Sequence, residues 1–337
     1  MTTILAVDGG NSKTDVVLSD AEGALLSHVR GPGCSPDTLG VVGSVGVITS
    51  LVDLARAAAM LPFELPASSA VLLLAGVDRP EQETQMLTAL APHSLADDLV
   101  VSNDTFAVLR AGSRSGCGVA VVCGAGLNAL GVTPGGVVGR YQALGELSGD
   151  WGGGQSVGLA ALGAAIRGED GRGPNTVLTE AVCHRLEVME PQNVAVAIHE
   201  ERWDEQVLVD LAPVVFAAAD AGDSVATDLI VRLSHEVAGM AVGLLRRLRL
   251  DEDPTCVVLG GGMLQAQHGD VIRRVTDIIM AAAPRAEVRV LDVPPVVGAV
   301  RTGLKRLGLS PEATEIAIER LVDSLNSAGQ SREESSP

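Results

Sequence analysis

The chain has 337 residues, of which 47% are hydrophobic, and it carries a formal net charge of −18 at pH 7. This length exceeds what one hydrophobic core usually supports, so we expect two domains. The negative charge argues against broad nucleic-acid binding and against docking to an anionic membrane surface, because both need basic surfaces.

The five cysteines are scattered along the chain, and no two of them form a C-x-x-C pair. An odd, unclustered set is typical of a reducing compartment rather than of a disulfide framework or a zinc site. No positively charged segment precedes the first apolar strand, as a secretory signal would require. We therefore expect a cytoplasmic protein without nucleic-acid or membrane partners. A homodimer is expected only because it is the commonest assembly.

The first predicted elements are two strands joined by a glycine turn. An apolar strand ends at Asp8, and a second strand runs to Leu18. Glycines allow backbone N–H groups to converge on an anion, and Lys13 in the turn adds a positive charge. The P-loop pattern G-x-x-x-x-G-K-[ST] is absent, and a strand rather than a helix follows the lysine. The turn is therefore either a phosphate-binding hairpin or an ordinary hairpin turn.

Strands and helices then alternate up to residue 110. Apolar residues at helical spacing predict a helix over about 38–60, and a continuous apolar run at 71–74 predicts a strand buried on both faces. A second helix is predicted at 80–90, and a strand from 99 is followed by a helix that begins after Asp104. This alternation predicts an α/β domain with a partly parallel sheet.

The second half of the chain begins in the same way as the first. A strand at 118–123 enters a second glycine turn, and a strand at 129–132 leaves it. The repeat of this unit at a long offset suggests two related domains rather than a short-period solenoid. Helices are expected to dominate 176–250, before a strand at 255–259 and a third glycine turn.

The C-terminal part is predicted to be one helix and a tail. Ser310 and Pro311 form a helix start, with a capping residue followed by proline at the first helical position. This helix is expected to end near Leu325. Residues 326–337 are small, polar and charged, and we expect them to be disordered.

Three glycine turns at the ends of apolar strands, with Asp104 at the end of another strand, resemble the actin-like sugar-kinase superfamily. The similarity is greatest to the N-acetylglucosamine kinase and BadF/BadG/BcrA/BcrD ATPase family, and it runs from about Leu5 to Gly303. It implies an α/β fold with two duplicated actin-like (ribonuclease H-like) ATPase domains and an interdomain cleft. The implied domains are 1–112 and 113–309, with a helix at 310–325 that packs back on the first domain.

The resemblance also implies ATP and Mg²⁺ as cofactors. Asp8 and Asp150 would hold Mg²⁺, largely through water. The implied ATP and phosphate contacts are Gly9, Gly10, Asn11, Ser12, Lys13, Thr14, Gly124, Ala125, Gly126, Asn128, Gly260, Gly261, Gly262 and Met263.

Asp104 lies where the family has its catalytic aspartate. Phosphoryl transfer needs alignment, charge neutralisation and an acceptor for the hydroxyl proton, and a carboxylate at a strand end can be held rigidly as that base. The structural alternative is a helix N-cap, because a helix is predicted directly after Asp104.

The acceptor side departs from the family pattern. Trp151 replaces a family Glu, Leu144 replaces the Trp of a Trp-Gly pair, and Ser35 lies near the position of a family Asn. Trp151 is either a stacking platform for a sugar or an anchor for its own loop, and Asp150 is either a sugar and metal contact or a helix cap. The implied substrate contacts are Ser35, Gly76, Asp78, Asn103, Asp104, Leu144, Gly145, Asp150 and Trp151.

Three functions follow from these patterns. The first is an ATP-dependent kinase of a hexose or amino sugar, such as N-acetylglucosamine. The second is an ATPase that activates a reductase or dehydratase, for which Cys123 is the nearest candidate ligand of an iron–sulfur cluster. The third is a non-catalytic actin-like regulator that binds ATP, in which Asp104 would have no role.

Overall fold

A computed structural model describes residues 2–62, 65–266 and 268–333, with side chains described up to residue 328. The strands are β1 (Thr3–Gly9), β2 (Lys13–Asp20), β3 (Leu25–Pro32), β4 (Ser69–Leu74), β5 (Leu99–Asn103), β6 (Gly118–Cys123), β7 (Leu127–Val132), β8 (Val138–Arg140), β9 (Cys256–Gly260) and β10 (Glu287–Val290). The helices are α1 (Pro36–Ala58), α2 (Pro80–Leu90), α3 (Thr105–Gly112), α4 (Gly153–Glu169), α5 (Leu178–Leu186), α6 (Pro191–His199), α7 (Ala212–Asp220), α8 (Ser224–Arg247), α9 (Gly262–Gln265), α10 (Gly269–Ala282), α11 (Val296–Arg306) and α12 (Pro311–Glu333). The predicted α/β class is confirmed.

The chain divides into two compact units. The first unit combines the residues up to Ala120 with Val132–Gln142 and the chain from Leu291 onward, and the second combines Val121–Gly131 with Ala143–Val290. The domain boundaries predicted from the sequence, at 112 and 309, differ from the boundaries of these units. The predicted division into domains therefore stays a prediction.

The sheet of the first unit has the strand order β3-β2-β1-β4-β5. The β1–β2 and β2–β3 pairs are antiparallel, whereas β1–β4 and β4–β5 are parallel, as the alternation of strands and helices predicts. The register aligns Gly9 with Leu74 and Leu74 with Asn103. The carboxyl ends of β1, β4 and β5 therefore lie side by side, and the residues that follow them share one edge of the sheet.

Alternate residues of β1 serve two different layers of the first unit. Leu5 and Val7 pack in a core cluster with Ile48 and Val52 of α1. On the other face, Ile4 lies against Gly303 of α11. All six residues of β4 are buried, as expected for a strand covered on both faces. By length and composition alone α1 could cross a membrane, but a core helix passes the same test.

The second sheet has the order β10-β9-β6-β7-β8, and β9 and β10 are parallel. In the second unit, α4 to α8 and α10 build a mainly helical body. The Asp223 carboxylate caps α8 by accepting from the Ala226 N–H at 2.8 Å. The same carboxylate accepts from Thr176 Oγ1 and the Val177 N–H, both at 2.9 Å, and so ties the start of α8 to the loop before α5.

Most predicted elements are confirmed with small shifts of their ends. The helix at 80–90 has the predicted bounds, and the helix expected over 38–60 is α1, Pro36–Ala58. β3, β8 and β10 were not predicted. α12 continues to Glu333, past the expected end at Leu325, and residues 334–337 of the predicted tail lie outside the described residues.

The contact between α11 and α3 gives a test of the packing that supports Asp104. A β-carbon at Gly298 of α11 would overlap the Ala107 carbonyl oxygen of α3, whereas a β-carbon at Gly239 of α8 would meet open space. We expect Gly298→Ala to lower the free energy of unfolding by about 1–3 kcal/mol, because overpacking forces the helices apart. Gly239→Ala is the matched control and should raise stability by up to about 1 kcal/mol. Urea denaturation measures both; equal effects of the two substitutions would contradict the packing.

Candidate active site

Two facing aspartates in the first unit have opposite electrostatic environments. Asp8 on β1 and Asp15 on β2 are paired across the strands. The Asp15 carboxylate accepts from His28 Nε2 at 2.7 Å and from Arg30 Nε at 2.9 Å. Burial alone would raise the pKa of Asp15, but the hydrogen bonds from His28 and Arg30 hold it below its usual value. Asp15 is thus satisfied by side chains of β3.

Asp8 has no such partner. Among the described residues, its carboxyl group takes part in no hydrogen bond or ion pair. Burial, followed by the charges of Asp104 and Asp15, raises the pKa of Asp8 to about 8, although Lys13 and Arg30 oppose the shift. A carboxylate that is desolvated and repelled by its neighbours favours a cation or a proton.

Asp104 directly follows β5 and occupies the N-cap position of α3. Its carboxyl group makes no side-chain capping hydrogen bond, and Asn103 Oδ1 accepts from the Thr105 N–H at 2.9 Å instead. Burial and the Asp78 carboxylate raise the pKa of Asp104 to about 7. The capping role considered from the sequence is therefore taken by Asn103.

Asn103 also links Asp104 to the turn that follows β4. It is 3% exposed, and its Nδ2 donates to Asp78 Oδ1 at 2.8 Å. Its Oδ1 accepts from the N–H and the hydroxyl of Thr105. Both ends of this buried amide are thus used to hold the Asp78 turn and the start of α3 in a fixed relation.

The first glycine turn is a tight hairpin. The Gly10 N–H donates to the Lys13 carbonyl at 2.8 Å, and Asn11, Ser12 and Lys13 are exposed. Thr14 is fully buried, and its Oγ1 has no hydrogen-bond partner among the described residues. An exposed lysine beside a half-buried, unpaired carboxyl group can act as a mobile countercharge for a phosphate.

Ser35 is the N-cap of α1, but its hydroxyl does not cap the helix. The residue is 1% exposed, and its Oγ has no partner within the described part of the chain. A β-carbon at Gly76 would lie 2.6 Å from this hydroxyl, so the turn after β4 passes close to the start of α1. The predicted substrate residues Ser35, Gly76, Asp78, Asn103 and Asp104 therefore occupy one edge of the first unit.

In the second unit, the two predicted glycine turns lie together. A β-carbon at Gly261 would overlap the backbone of Cys123, the residue before the Gly124–Gly126 turn, and Cys123 Sγ lies 3.9 Å from Met263 Sδ. Gly260 is buried, whereas Gly262 is exposed. Asn128 Oδ1 accepts from the Ala129 N–H. The structure thus brings the predicted phosphate turn and the predicted adenosine turn to one place.

The start of α4 packs against the same turn. The Gly154 N–H donates to the Gly124 carbonyl at 2.8 Å, and the Gln155 N–H donates to the Ala125 carbonyl at 3.0 Å. Gly153 has a φ of +77°, and a β-carbon there would lie 2.5 Å from the Ala125 oxygen. Gly153 and Gly154 were not predicted as site residues, although a run of three glycines at 152–154 indicates close backbone approach.

The loop before α4 holds the remaining predicted residues. Asp150 is 6% exposed, and its Oδ2 accepts from Ser148 Oγ at 2.5 Å. Gly152, not Asp150, is the N-cap of α4, so the capping alternative for Asp150 is not realised. Leu144 and Gly145 are exposed at the other end of this loop.

Trp151 is 5% exposed, and the Arg232 guanidinium covers its ring at 3.9 Å. A ring covered on one face by α8 has little surface for a sugar, which favours the alternative of a loop anchor. The contact of Trp151 with a substrate stays a prediction, and the position of its ring does not support it.

The donor chemistry of the first unit fits a hydrated Mg²⁺. No group of three or more His, Cys, Asp or Glu side chains within the described ranges could hold a metal ion directly. Mg²⁺ commonly keeps several waters and binds through one or two carboxylates and substrate phosphates. The unpaired Asp8 carboxylate has the right chemistry for such an ion.

Comparisons with known proteins decide the family. The profile of the BadF/BadG/BcrA/BcrD ATPase family matches residues 5–302. The chain belongs to this family.

Two relatives similar to this chain are sugar kinases by name. The chain is 25% identical over 311 residues to N-acetyl-D-glucosamine kinase of Dictyostelium discoideum, covering 89% of this chain and 97% of that protein. It is 24% identical over 267 residues to N-acetylmuramic acid/N-acetylglucosamine kinase of Clostridium acetobutylicum, covering 78% of this chain and 86% of that protein. A solved Chromobacterium violaceum structure, provisionally described as an N-acetylglucosamine kinase, shares the fold, with a TM-score of 0.69, 24% identity and coverage of 89% of this chain and 98% of that one.

The contrast between Asp8 and Asp15 predicts how stability changes with pH. Because the folded-state pKa of Asp8 is raised, its charged form destabilises the fold, and this cost grows as pH rises from about 4 to about 8. In metal-free, ligand-free protein, Asp8→Asn should therefore raise the free energy of unfolding at pH 9 by more than about 1 kcal/mol and have a smaller effect at pH 5.

Asp15→Asn is the matched control, because it makes the same chemical change on the facing strand. The lowered pKa of Asp15 means that its carboxylate stabilises the fold above its unfolded pKa, so the substitution should destabilise at pH 5 and at pH 9. Denaturant titrations at the two pH values measure both variants. A destabilised Asp8→Asn at pH 9 would show that Asp8 has a stabilising partner after all.

Proposed function

We propose that this family member is an ATP-dependent kinase that transfers the γ-phosphoryl group of ATP to a hydroxyl of a hexose or amino sugar, such as N-acetylglucosamine or a related sugar. The observation that carries this proposal is the placement of two carboxyl groups with raised pKa values on one edge of the first sheet: Asp8 lies near the end of β1 and Asp104 directly follows β5, the two strands that flank β4. The names of the related kinases support it.

Asp104 is proposed as the general base. With a pKa of about 7, a substantial fraction of Asp104 is charged at neutral pH. The charged form is a strong enough base to accept the proton of the sugar hydroxyl as the hydroxyl oxygen attacks phosphorus. The hydrogen bonds of Asn103 with Asp78 and Thr105 fix the residues on either side of Asp104, which limits the reorganisation that the base needs during the reaction. The same edge, with Ser35, Gly76 and Asp78, is proposed to bind the sugar.

Asp8 is proposed to hold Mg²⁺ through water, and Lys13 and Thr14 are proposed to contact the phosphates. When bound, Mg²⁺ would neutralise negative charge on the phosphate oxygens. Burial raises the pKa of Asp8, and no cation of the protein fully compensates the charge of its carboxylate. Such a carboxylate is suited to bind a cation that arrives with the nucleotide.

The second unit is proposed to contact ATP through its own glycine turns. The Gly124–Gly126 turn presents backbone to a phosphate, and the adjoining Gly260–Met263 turn presents a surface without bulky side chains to the adenosine. Asp150 is a buried carboxylate in the same unit and remains a proposed contact for the sugar or for hydrated metal. Homodimeric assembly and a cytoplasmic location stay predictions from the sequence.

The alternative activity, an ATPase that activates a reductase, has less support from the geometry. Burial raises the pKa of the Cys123 thiol to about 12, and the residue is fully buried beneath the glycine turns. An iron–sulfur cluster binds cysteine as the thiolate, and the burial of Cys123 disfavours that form.

Measurement of ADP release from Mg-ATP tests the proposal. The chain is to be assayed with N-acetylglucosamine, glucosamine, glucose and N-acetylmannosamine, and without sugar. We expect ADP release that depends on one of these sugars, with an equal amount of sugar phosphate detected by mass spectrometry. ADP release that is the same without sugar would overturn the kinase proposal in favour of the ATPase alternative.

Asp104→Asn tests the role of the base. The amide cannot accept the hydroxyl proton, so kcat should fall by about 100-fold or more, while ATP binding by calorimetry stays unchanged. Asp98→Asn is the matched control, because Asp98 lies in the same unit and pairs with Arg306 at the surface. Activity of Asp104→Asn close to that of the control would remove Asp104 from the chemistry.

A further inference from the structure

Arg140 is the last residue of β8, and its guanidinium reaches the edge of the first unit that carries the proposed acceptor site. Its Nη1 donates to Glu83 Oε1 at 2.8 Å and lies 3.4 Å from the carbonyl oxygen of Asp78. Its Nη2 lies 3.5 Å from Ser102 Oγ. One side chain from β8 thus contacts the turn after β4, the first part of α2 and the end of β5.

Two of these contacts, those with Asp78 and Ser102, lie within two residues of a residue proposed to act in the reaction. Asp78 itself supplies one carbonyl, and Ser102 precedes the Asn103–Asp104 pair. Phe106, two residues after Asp104, is 4% exposed, and the Arg140 guanidinium lies 5.0 Å from the centre of its ring. Arg140 therefore touches the chain on both sides of Asp104.

Glu83 is shared between two donors. Ser102 Oγ donates to Glu83 Oε1 at 2.8 Å, the oxygen that also accepts from Arg140. The side chains of Arg140 and Glu83 are 25% and 22% exposed, so the pair is more shielded than a surface ion pair. A guanidinium is planar and has donors in a fixed fork, so it can hold several acceptors in one geometry, which a lysine cannot do.

The same Phe106 ring also contacts a second arginine. Arg110 of α3 lies over the ring at 4.6 Å, and its Nη1 donates to Thr302 Oγ1 at 3.1 Å on α11. Arg110 thus shares the aromatic contact of Arg140 but bonds to α11 rather than to the acceptor-site edge. A comparison of the two arginines can therefore distinguish the effect of packing on Phe106 from the effect of the contacts with Asp78, Glu83 and Ser102.

We propose that Arg140 is a positioning residue for phosphoryl transfer, which fixes the Asp78 turn and the Ser102–Asp104 segment so that the base meets the acceptor hydroxyl. This role rests on the kinase activity proposed above. Arg140 acts through Glu83, Ser102 and the backbone of Asp78 and does not itself take or give a proton. Because it orients the base rather than the nucleotide, its loss affects the chemical step more than the binding of ATP.

The test compares Arg140→Met with Arg110→Met in the full chain. We expect Arg140→Met to lower kcat for the preferred sugar by about 10- to 100-fold, because a displacement near 1 Å at a reacting group has costs on that scale. The KM for Mg-ATP should stay unchanged. Arg110→Met should keep kcat close to that of the unsubstituted chain, and the melting temperatures of both variants are measured to compare their folding.

Glu83→Gln is the second variant, which keeps the shape of the partner but removes its charge. If Arg140 acts through Glu83, the double variant Arg140→Met/Glu83→Gln loses no more kcat than Arg140→Met alone. Losses that multiply, equal kcat in Arg140→Met and Arg110→Met, or a change confined to KM would each overturn the positioning role. Absence of sugar-dependent turnover in the unsubstituted chain would instead overturn the proposed function, and this role with it.

Discussion

The parallel pairing of β1, β4 and β5 is the constraint on which the candidate site depends. Because the three strands run in the same direction and end in register, the residues after Gly9, Leu74 and Asn103 meet at one sheet edge. These residues lie far apart in the sequence, and only the sheet brings them together. The Gly10–Lys13 turn, the Asp78 turn and Asp104 are therefore positioned by the pairing of the strands. Asn103 also links the Asp78 turn to the start of α3, and Arg140 contacts the Asp78 turn and Glu83.

The same edge holds two carboxyl groups, Asp8 and Asp104, whose charged forms are disfavoured by their surroundings. Asp15, facing Asp8, shows that this sheet can supply partners to a carboxylate, since His28 and Arg30 both contact it. Asp8 has no such pair, and burial, followed by the charges of neighbouring carboxylates, raises the pKa values of Asp8 and Asp104. Buried carboxylates without counterions destabilise a fold, and strongly perturbed pKa values cluster at functional sites. The proposed function accounts for this loss of stability, because a metal ion and a sugar hydroxyl would become the partners of these carboxylates.

How far the sequence predicts this structure depends on whether the signal is local. The bounds of α2 and the three glycine turns follow from proline, glycine and apolar runs that act over a few residues. The distinction between Asp8 and Asp15 could not be predicted, because it depends on His28 and Arg30 of β3, a strand without a clear alternating pattern. The burial of Trp151 depends on Arg232, a contact between residues 81 positions apart that no local pattern records. The role of Arg140 could not be predicted for the same reason, because its partners lie in three other segments of the chain.

The central claim is that this edge of the first unit delivers the phosphoryl group to a sugar hydroxyl and not to water. Mass spectrometry of a reaction run with Mg-ATP and the preferred sugar in ¹⁸O-labelled water tests it most directly. Transfer to the sugar predicts sugar phosphate without ¹⁸O and little labelled inorganic phosphate. Inorganic phosphate that carries ¹⁸O, formed without sugar phosphate, would contradict the claim, because water would then be the acceptor.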